Sequence, residues 1–142
     1  DLPFVLFVDC LGVEQSLYVN DSILLKEIGR YYRLLDELET PKISVVTGKA
    51  IGLGYSLFAA KSAGFDYAVS FANAQIALFE NAAGAQIEYA NDKRADQAKL
   101  QALYAEEVAD PFNAAKGGYI DDIIEPQFVK QYLIASLQTL TR

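Results

Sequence analysis

Residues Pro41–Ala60 read P-K-I-S-V-V-T-G-K-A-I-G-L-G-Y-S-L-F-A-A, and three local signals follow one another in them. The β-branched residues at the start favour a pleated, half-buried strand. Gly48, Gly52 and Gly54 then allow backbone conformations and close approaches that a side chain would prevent. The closing residues, Tyr55–Ala60, favour a helix. The stretch therefore predicts a strand, a glycine turn and a helix.

The start of that predicted helix has two interpretations. The first N–H groups of a helix have no acceptor within it and carry partial positive charge, so a glycine turn that leaves them open suits a developing anion. Such an arrangement is a backbone oxyanion hole. The alternative is a tight connection between strand and helix that binds no ligand, and the local sequence by itself favours this alternative.

Length and composition indicate one globular domain. The chain has 142 residues, of which 52% are hydrophobic, and globular domains typically contain about 100–150 residues. Its 12 Lys and Arg against 19 Asp and Glu give a net charge of −7, which opposes nucleic-acid binding. The chain begins at Asp1 and contains no Met, so we expect a fragment, a processed chain or a short subunit.

The cysteine content and the length of the hydrophobic runs give a prediction of the cellular compartment. Cys10 is the single cysteine of the sequence, so no disulfide can form within the chain, which fits a reducing compartment. No run approaches the roughly 18 apolar residues that a membrane span needs, and we find no signal peptide. We therefore predict a cytoplasmic location and no membrane span.

Predicted strands and helices alternate along the chain, which indicates an α/β domain with mostly parallel strand pairing. Asp21 is the predicted N-cap of the first helix, whose apolar positions recur every three or four residues. Two of the strands are separated by a short segment that contains Asn73-Ala74 and is too short for a helical crossover. Besides the central strand and helix, we predict strands at 2–9, 66–71, 75–79 and 120–124 and helices at 21–39, 81–91, 93–109, 112–116 and 128–140.

Several common catalytic and nucleotide-binding patterns are missing. The sequence contains no His, which excludes Ser-His-Asp and Cys-His arrangements and zinc sites of the Cys/His kind. It has no G-x-x-x-x-G-K-[ST] loop, and G-L-G-Y-S-L does not match G-x-G-x-x-G. Glu80, Glu88 and the Asp121-Asp122 pair are candidate acid–base groups. The two aspartates point to opposite faces if they lie on a strand, so they do not form a shared dyad.

Three motifs follow one another in a specific order. The first motif is L-P-F-V-L-F-V-D followed by L-G-V-E-Q at Leu11–Gln15. The second is T-P-K-I-S-V-V-T-G-K-A-I-G-L-G-Y, and the third is A-D-P-F-N-A-A-K-G-G-Y-I-D-D-I-I-E-P at Ala109–Pro126. The first motif resembles a strand followed by a glycine loop before E-Q. The second resembles T-V-P-K-x-x-V-x-x-x-K-A-x-G-G-A-Y, and the third resembles A-N-P-x-x-A-A-x-x-G-x-I-D-x-V-I-x-P. These are motifs of the C-terminal half of the biotin-dependent carboxyltransferases, as in the β chain of acyl-CoA carboxylases and in biotin-dependent decarboxylases. The similarity covers nearly the whole chain.

The resemblance implies both a fold and a reaction. It implies the ClpP/crotonase-like fold, a spiral of ββα units, with residues 1–142 as a single C-terminal-type carboxyltransferase domain. The implied reaction moves a carboxyl group between carboxybiotin, carried by a biotin carboxyl carrier protein, and an acyl-CoA. A separate acyl-CoA-binding half is the implied partner, and trimers or hexamers are the implied assemblies. The resemblance implies no metal in this chain.

The resemblance also assigns site residues. The backbone N–H groups of Leu53 and Gly54 are the implied oxyanion hole, which would stabilise the ureido oxyanion of biotin. Gly52, Tyr55 and Gly12 are the implied substrate-binding residues on the biotin side.

Two departures from the family pattern leave alternatives open. Leu53 stands where the family has glycine, although its amide N–H is retained, and the glycine loop is shortened to Leu11–Val13. Both favour a non-catalytic crotonase-fold subunit with a scaffold or assembly role. The segment Gly48–Ala50 resembles the γ subunit of malonate decarboxylase, whereas the A-A-K-G-G-Y-I-D-D ending favours the acyl-CoA branch. We predict part of an enzyme; the sequence decides neither the acyl-CoA nor the direction of transfer.

Overall fold

The computed structural model describes residues 2–13, 22–91 and 96–141. In these residues the strands are β1 (Phe4–Cys10), β2 (Lys42–Ile51), β3 (Tyr67–Phe71), β4 (Gln75–Ala77) and β5 (Asp122–Ile124). The α-helices are α1 (Ser22–Glu37), α2 (Leu53–Phe58), α3 (Asn81–Glu88), α4 (Gln97–Glu107), α5 (Pro111–Lys116) and α6 (Val129–Leu140). Short 3₁₀ turns lie at Lys61–Ala63 and Pro126–Phe128.

The strands form one sheet around β2, and every pair in it is parallel, as the alternation of strands and helices predicted. β1 pairs along one edge of β2, while β3 and β4 share the other edge. β3 lies beside Ile43–Val46 and β4 beside Lys49–Ile51, so both run in the same direction along one edge. A short turn can therefore join them, and β3, β4 and α3 form a ββα unit.

The first half of β2 is covered on both faces, as expected for a strand inside a parallel sheet. Ile43 and Val45 are fully buried, and they belong to the cluster against which Leu133 of α6 packs. Val46 belongs to a second cluster, which contains Ala59 at the end of α2. Ser44 is buried on the strand, and its hydroxyl donates a hydrogen bond to the Ala59 carbonyl at 2.9 Å.

Helix α1 packs with part of its apolar face against the 3₁₀ turn at Lys61–Ala63. Leu35 is buried against Phe65, and Tyr31 and Tyr32 pack at the edge of that cluster. The Tyr32 hydroxyl donates to the Ser56 carbonyl at 3.0 Å, which joins α1 to α2. The predicted N-cap, Asp21, lies outside the described residues.

Some predicted boundaries are wrong by a few residues. The predicted strand at 75–79 ends at Ala77, whose carbonyl accepts a hydrogen bond from the Gly52 N–H at 2.9 Å. The predicted helix at 81–91 ends at Glu88, and the predicted strand at 120–124 begins at Asp122. α5 begins at Pro111 because the Asp110 side chain caps it.

Candidate active site

The site begins at an irregularity between β1 and β2. Two residue steps along β1, from Val8 to Cys10, correspond to four steps along β2, from Val46 to Ala50. The extra residues form a bulge, which bends a strand and changes the direction of its side chains. Side chains replace the lost ladder bonds: the Thr47 hydroxyl donates to the Val8 carbonyl at 3.2 Å.

Asp9 holds the same bulge in place. Its carboxylate accepts a hydrogen bond from the Lys49 N–H at 2.8 Å. The carboxylate also occupies the space next to Gly48, where an added Cβ would lie 2.5 Å from Asp9 Oδ1. A glycine at position 48 therefore allows the close approach of the two strands.

β2 ends in the glycine turn that the sequence predicted. Gly52 has φ of 53° and ψ of −119°, a conformation that L side chains rarely adopt. Its N–H donates to the Ala77 carbonyl, and its own carbonyl accepts the Ser56 N–H at 3.0 Å. An added Cβ would lie 3.1 Å from the Leu78 carbonyl. The turn is therefore held from both sides.

The first two residues of α2 present backbone N–H groups without a partner. Among the described residues, no acceptor is bonded to the N–H of Leu53 or Gly54. Gly54 is buried against the end of β1, since an added Cβ would lie 2.8 Å from the Cys10 carbonyl. The Leu53 side chain is 45% exposed, so it is not part of the core.

Gly12 brings the end of β1 to the same place. It has φ of 116°, and an added Cβ would lie 3.3 Å from the Ile51 carbonyl, one residue before Gly52. The Cys10 thiol donates to the Gly12 carbonyl, two residues further along the chain, at 3.5 Å. The predicted site residues thus come from two neighbouring segments at the carboxyl ends of parallel strands, where α/β folds commonly bind ligands.

A cavity of about 450 Å³ opens beside α2. Gly52, Tyr55 and Ser56 line one side of it, and residues of β4 and α5 line the other side. A volume of this size is within the range of small-molecule sites, about 300–1,000 Å³.

Tyr55 links this cavity to the segment after α5. Its hydroxyl donates to the Tyr119 carbonyl at 2.7 Å, and the two rings meet edge to face with their centroids 6.5 Å apart. Burial raises the pKa of Tyr55 to about 12, with further contributions from Tyr119 and Asp121. Tyr55 is therefore protonated at neutral pH and acts as a hydrogen-bond donor.

A second cavity of about 590 Å³ lies at the bulge, and its polar lining residues are Asp9, Lys49, Asn73, Gln75 and Asn81. None of the five predicted site residues lines it. Glu80, a candidate acid–base group, lies 3.7 Å from the Lys49 ammonium and pairs with it. This contact gives Glu80 an electrostatic partner outside the cavity beside α2.

The other candidate carboxylates have structural contacts. Asp121 precedes β5, accepts a hydrogen bond from the Ala68 N–H at 2.9 Å and pairs with Lys61 at 2.5 Å. Asp122 lies beside Tyr132 of α6, whose pKa is raised to about 12 by burial and then by Asp122. The two aspartates therefore contact different elements. Glu88 is exposed at the end of α3.

Neither a metal-binding cluster nor a membrane-spanning helix is found in the part of the chain that the structure describes. Among residues 2–13, 22–91 and 96–141, no group of three or more His, Cys, Asp or Glu side chains is placed to hold a metal ion. Within the same ranges, no helix combines the length and the hydropathy needed to cross a membrane.

These features define a parallel α/β domain whose candidate site is built from backbone groups at a glycine turn, beside an uncharged cavity. The family model of the carboxyl transferase domain matches residues 1–142, so the chain belongs to that family.

Relatives of known activity cover the chain almost completely. The carboxyltransferase subunit of propionyl-CoA carboxylase from Haloferax mediterranei is 30% identical over 146 residues, which is 99% of this chain and 28% of that protein. The α subunit of methylmalonyl-CoA decarboxylase from Veillonella parvula is 29% identical over 140 residues, 99% of this chain and 27% of that protein. The chain thus spans less than a third of the length of these relatives.

Solved structures confirm the fold. Transcarboxylase 12S, described as a hexamer and solved with methylmalonyl-CoA bound, superposes with a TM-score of 0.87 at 24% identity, over 99% of this chain and 28% of that one. The β subunit of geranyl-CoA carboxylase from P. aeruginosa gives a TM-score of 0.76 at 15% identity, over 98% of this chain and 32% of that one. The predicted crotonase-like fold of the carboxyltransferases is therefore correct.

Proposed function

We propose that this chain is the C-terminal-type half of a biotin-dependent acyl-CoA carboxyltransferase. It would take part in moving a carboxyl group between carboxybiotin and the α-carbon of an acyl-CoA. The observation that carries the proposal is the match of the carboxyl transferase family over residues 1–142. The relatives act on acyl-CoA thioesters by their names, propionyl-CoA carboxylase and methylmalonyl-CoA decarboxylase.

The backbone around Gly52 supports the assignment of an oxyanion hole to Leu53 and Gly54. Bound carboxybiotin supplies the carboxyl group, and its ureido oxygen gains negative charge as the carboxyl leaves. The two N–H groups have no acceptor among the described residues, so they can donate to that oxygen without breaking an existing bond. Donors that are already oriented stabilise charge in the transition state more than in the ground state.

The surroundings of the two donors support the same role. Gly54 lies close to Cys10 and Gly52 lies close to the Leu78 carbonyl, so the turn that carries the donors is confined by its neighbours. Gly12 and Tyr55 are the proposed contacts to the biotin ring system. The chain would thus contribute position and hydrogen bonds, and no side-chain nucleophile.

Partners belong to the proposal because the chain spans under a third of its relatives. The acyl-CoA would be bound by a separate half, and a biotin carboxyl carrier protein would deliver the carboxyl group. An assembly of trimers or hexamers is proposed on the precedent of transcarboxylase 12S, which is described as a hexamer. The cytoplasmic location predicted from the single cysteine is part of the same proposal.

The first test is a carboxyl-transfer assay on this chain, alone and mixed with the acyl-CoA-binding half. Loss of carboxybiotin that depends on acyl-CoA is the readout. We expect transfer only in the mixture. A mixture that assembles by size-exclusion chromatography and shows no transfer would contradict the proposal.

The backbone donor itself can be removed at Leu53. Proline has no N–H and is tolerated as the first residue of a helix, so Leu53→Pro deletes the donor with little change to α2. We expect kcat to fall about 10²–10³-fold, the usual effect of losing one oxyanion donor. Leu53→Ala keeps the N–H and should lose far less. Equal losses in the two variants would show that the amide does not participate.

A scaffold role is the second candidate, and the Leu53 side chain favours it. It stands where the family has glycine and is 45% exposed at the turn, so it can occupy space that a ligand needs. If Leu53→Gly raises transfer in the assembled complex, the leucine hinders a functional site. If an assembled complex with Leu53→Gly still shows no transfer, the scaffold role is the better account.

A further inference from the structure

The bulge between β1 and β2 has a register that the hydrophobic pattern does not fix by itself. Inside the bulge, the single β1 residue Asp9 faces three residues of β2, Thr47–Lys49. Compared with an uninterrupted ladder, β2 has two extra residues, which amount to about 7 Å of strand. A shift of two residues keeps every side chain on its own face of the sheet, so apolar burial does not select this register. Specific contacts must therefore hold it.

These contacts lie on both edges of β2. On the edge facing β4, the Gly52 N–H donates to the Ala77 carbonyl at 2.9 Å and fixes the end of the strand. On the edge facing β1, the Asp9 carboxylate accepts a hydrogen bond from the Lys49 N–H at 2.8 Å. The Thr47 hydroxyl adds a longer bond to β1, at 3.2 Å. Asp9 thus makes the shorter of these two side-chain bonds across the bulge.

The contact of Asp9 with Lys49 is made to the main chain. The Lys49 ammonium pairs with Glu80, at 3.7 Å. The Asp9 carboxylate also lies against Gly48, where an added Cβ would be 2.5 Å from Oδ1 and 2.9 Å from Oδ2. The carboxylate therefore acts as a hydrogen-bond acceptor in a confined place. An asparagine carboxamide has a similar shape and also carries an acceptor oxygen, so it can replace the carboxylate in this contact.

The next residue of β1 touches the candidate oxyanion hole. Cys10 lies against Gly54, where an added Cβ would be 2.8 Å from the Cys10 carbonyl and 3.0 Å from its Sγ. On the other strand, Lys49 precedes the glycine turn by three residues. The hydrogen bond of Asp9 to Lys49 therefore joins the two segments that lead to the N–H groups of Leu53 and Gly54. A displacement at the bulge reaches those donors through direct contacts.

We propose that Asp9 is a positioning residue of the carboxyl-transfer site: its bond to the Lys49 N–H sets the direction of the Leu53 and Gly54 donors. The inference rests on the proposed carboxyltransferase function and deepens it. Asp9 does not line the cavity beside α2, so its loss should leave the binding of the acyl-CoA unchanged. Misdirected donors stabilise the transition state less, and the loss should therefore appear in kcat.

The test compares Asp9→Ala with Asp9→Asn in the assembled carboxyltransferase, with carboxybiotin and propionyl-CoA as substrates. Asp9→Ala removes the acceptor and should lower kcat about 10–100-fold, since a misplacement of about 1 Å in an active site can cost about 10²-fold. The KM for propionyl-CoA should not change. Asp9→Asn keeps an acceptor oxygen for the Lys49 N–H and should keep kcat close to that of the wild type. Equal losses in the two variants would contradict the positioning role.

Asp66 offers a matched control at the other end of β2. Its carboxylate accepts a hydrogen bond from the main-chain N–H of Lys42, the first residue of the strand, at 2.7 Å. Asp66→Ala thus removes the same kind of contact far from the glycine turn along β2. It should lower the urea midpoint as Asp9→Ala does, while kcat per folded molecule stays at the wild-type value. An equal loss of kcat in both variants would reduce the effect of Asp9 to general stability and overturn the inference.

A double substitution shows whether Asp9 acts through the oxyanion hole. In a Leu53→Pro background one donor is already gone, so Asp9→Ala should lower kcat by a smaller factor than it does in the wild type. Losses that multiply in full would place the action of Asp9 elsewhere and overturn the inference. If Asp9→Ala does not fold by thermal melting, Gly48→Ala, which displaces the same carboxylate, carries the test with the same expected loss of kcat.

The remaining outcomes separate this inference from the proposed function. A folded Asp9→Ala assembly with the kcat of the wild type overturns the positioning role and leaves the carboxyltransferase function standing. A wild-type assembly that transfers no carboxyl group overturns the proposed function, and this inference with it.

Discussion

The two halves of β2 differ in burial and in strand pairing. All five residues of Lys42–Val46 are buried and pair in uninterrupted register with β1, and Ile43–Val46 also pair with β3. In Thr47–Ile51 the register with β1 breaks, the first three residues are half-buried, and the partner on the other edge is the short strand β4. Every predicted site residue follows the second half of β2 or contacts its end.

The contrast separates stability from function within one strand. The first half gains its free energy from apolar burial on two faces, a term that depends mainly on area. The second half buries less, and its shape depends on particular contacts such as those of Asp9 with Lys49 and Gly48. We therefore expect substitutions in the first half to lower stability, and those in the second half to displace the segment that leads to Leu53 and Gly54.

The largest expected effect is on stability, at Ile43. This side chain is fully buried between β2 and α6, so Ile43→Ala should lower the free energy of unfolding by about 2–5 kcal/mol. Urea denaturation measures the loss, and Ile43→Val, expected to cost about 0.5–1.5 kcal/mol, is the graded control. Transfer per folded molecule should stay near the wild-type rate. A large loss of that rate would mean that the two halves of β2 are not separable.

A smaller effect on the free energy of unfolding is expected at the bulge. Gly48→Ala forces the Asp9 carboxylate away from the Lys49 N–H and should cost about 1–2 kcal/mol. The same substitution in an Asp9→Ala background should cost much less, because the obstacle is gone. Urea denaturation of the four proteins gives the coupling energy, for which contacting residues typically show about 0.5–3 kcal/mol. Additive losses would contradict the role assigned to this contact.

The sequence predicted the first half of β2 more completely than the second. Ile43, Val45 and Val46 identify a strand by residue type alone, and Gly52 marks the turn because it needs a positive φ. The bulge depends on Asp9, forty positions before Lys49, and local patterns contain no register between such distant segments. The one sequence signal for it is Thr47-Gly48-Lys49, where the apolar run of the strand stops.

The cavity beside α2 could not be predicted from the sequence, for a similar reason. Tyr119 lies in a motif that the family resemblance identified, but its place beside Tyr55 follows from the pairing of β3 with β5. The pairing of β5 brings the segment between α5 and β5 to the first turn of α2, and no periodicity in the sequence predicts this contact. Predictions of backbone geometry at glycines were therefore correct, whereas side-chain neighbours across the sheet required the structure.

The smallest expected effect on stability is at Tyr55, which follows the second half of β2 and is hydrogen-bonded to Tyr119. Tyr55→Phe removes the hydrogen bond to the Tyr119 carbonyl and should lower the free energy of unfolding by about 0.5–1.5 kcal/mol at neutral pH. The pKa of Tyr55 is raised to about 12 by burial, compared with about 10 in an unfolded chain. Because the folded pKa is the higher one, this stabilisation is complete below pH about 10 and is lost as the pH rises towards about 12.

The stability difference between wild type and Tyr55→Phe should therefore be constant from about pH 7 to about pH 9 and shrink above about pH 10. Urea midpoints measured for both proteins at each pH give this difference directly. Tyr132, whose pKa is also raised to about 12, is present in both proteins, so its titration cancels in the comparison. A difference that stays constant through the alkaline range would mean that the phenol ionises as easily in the folded chain as in the unfolded one. Tyr55 would then be solvated, and its contact with Tyr119 would be looser than this geometry indicates.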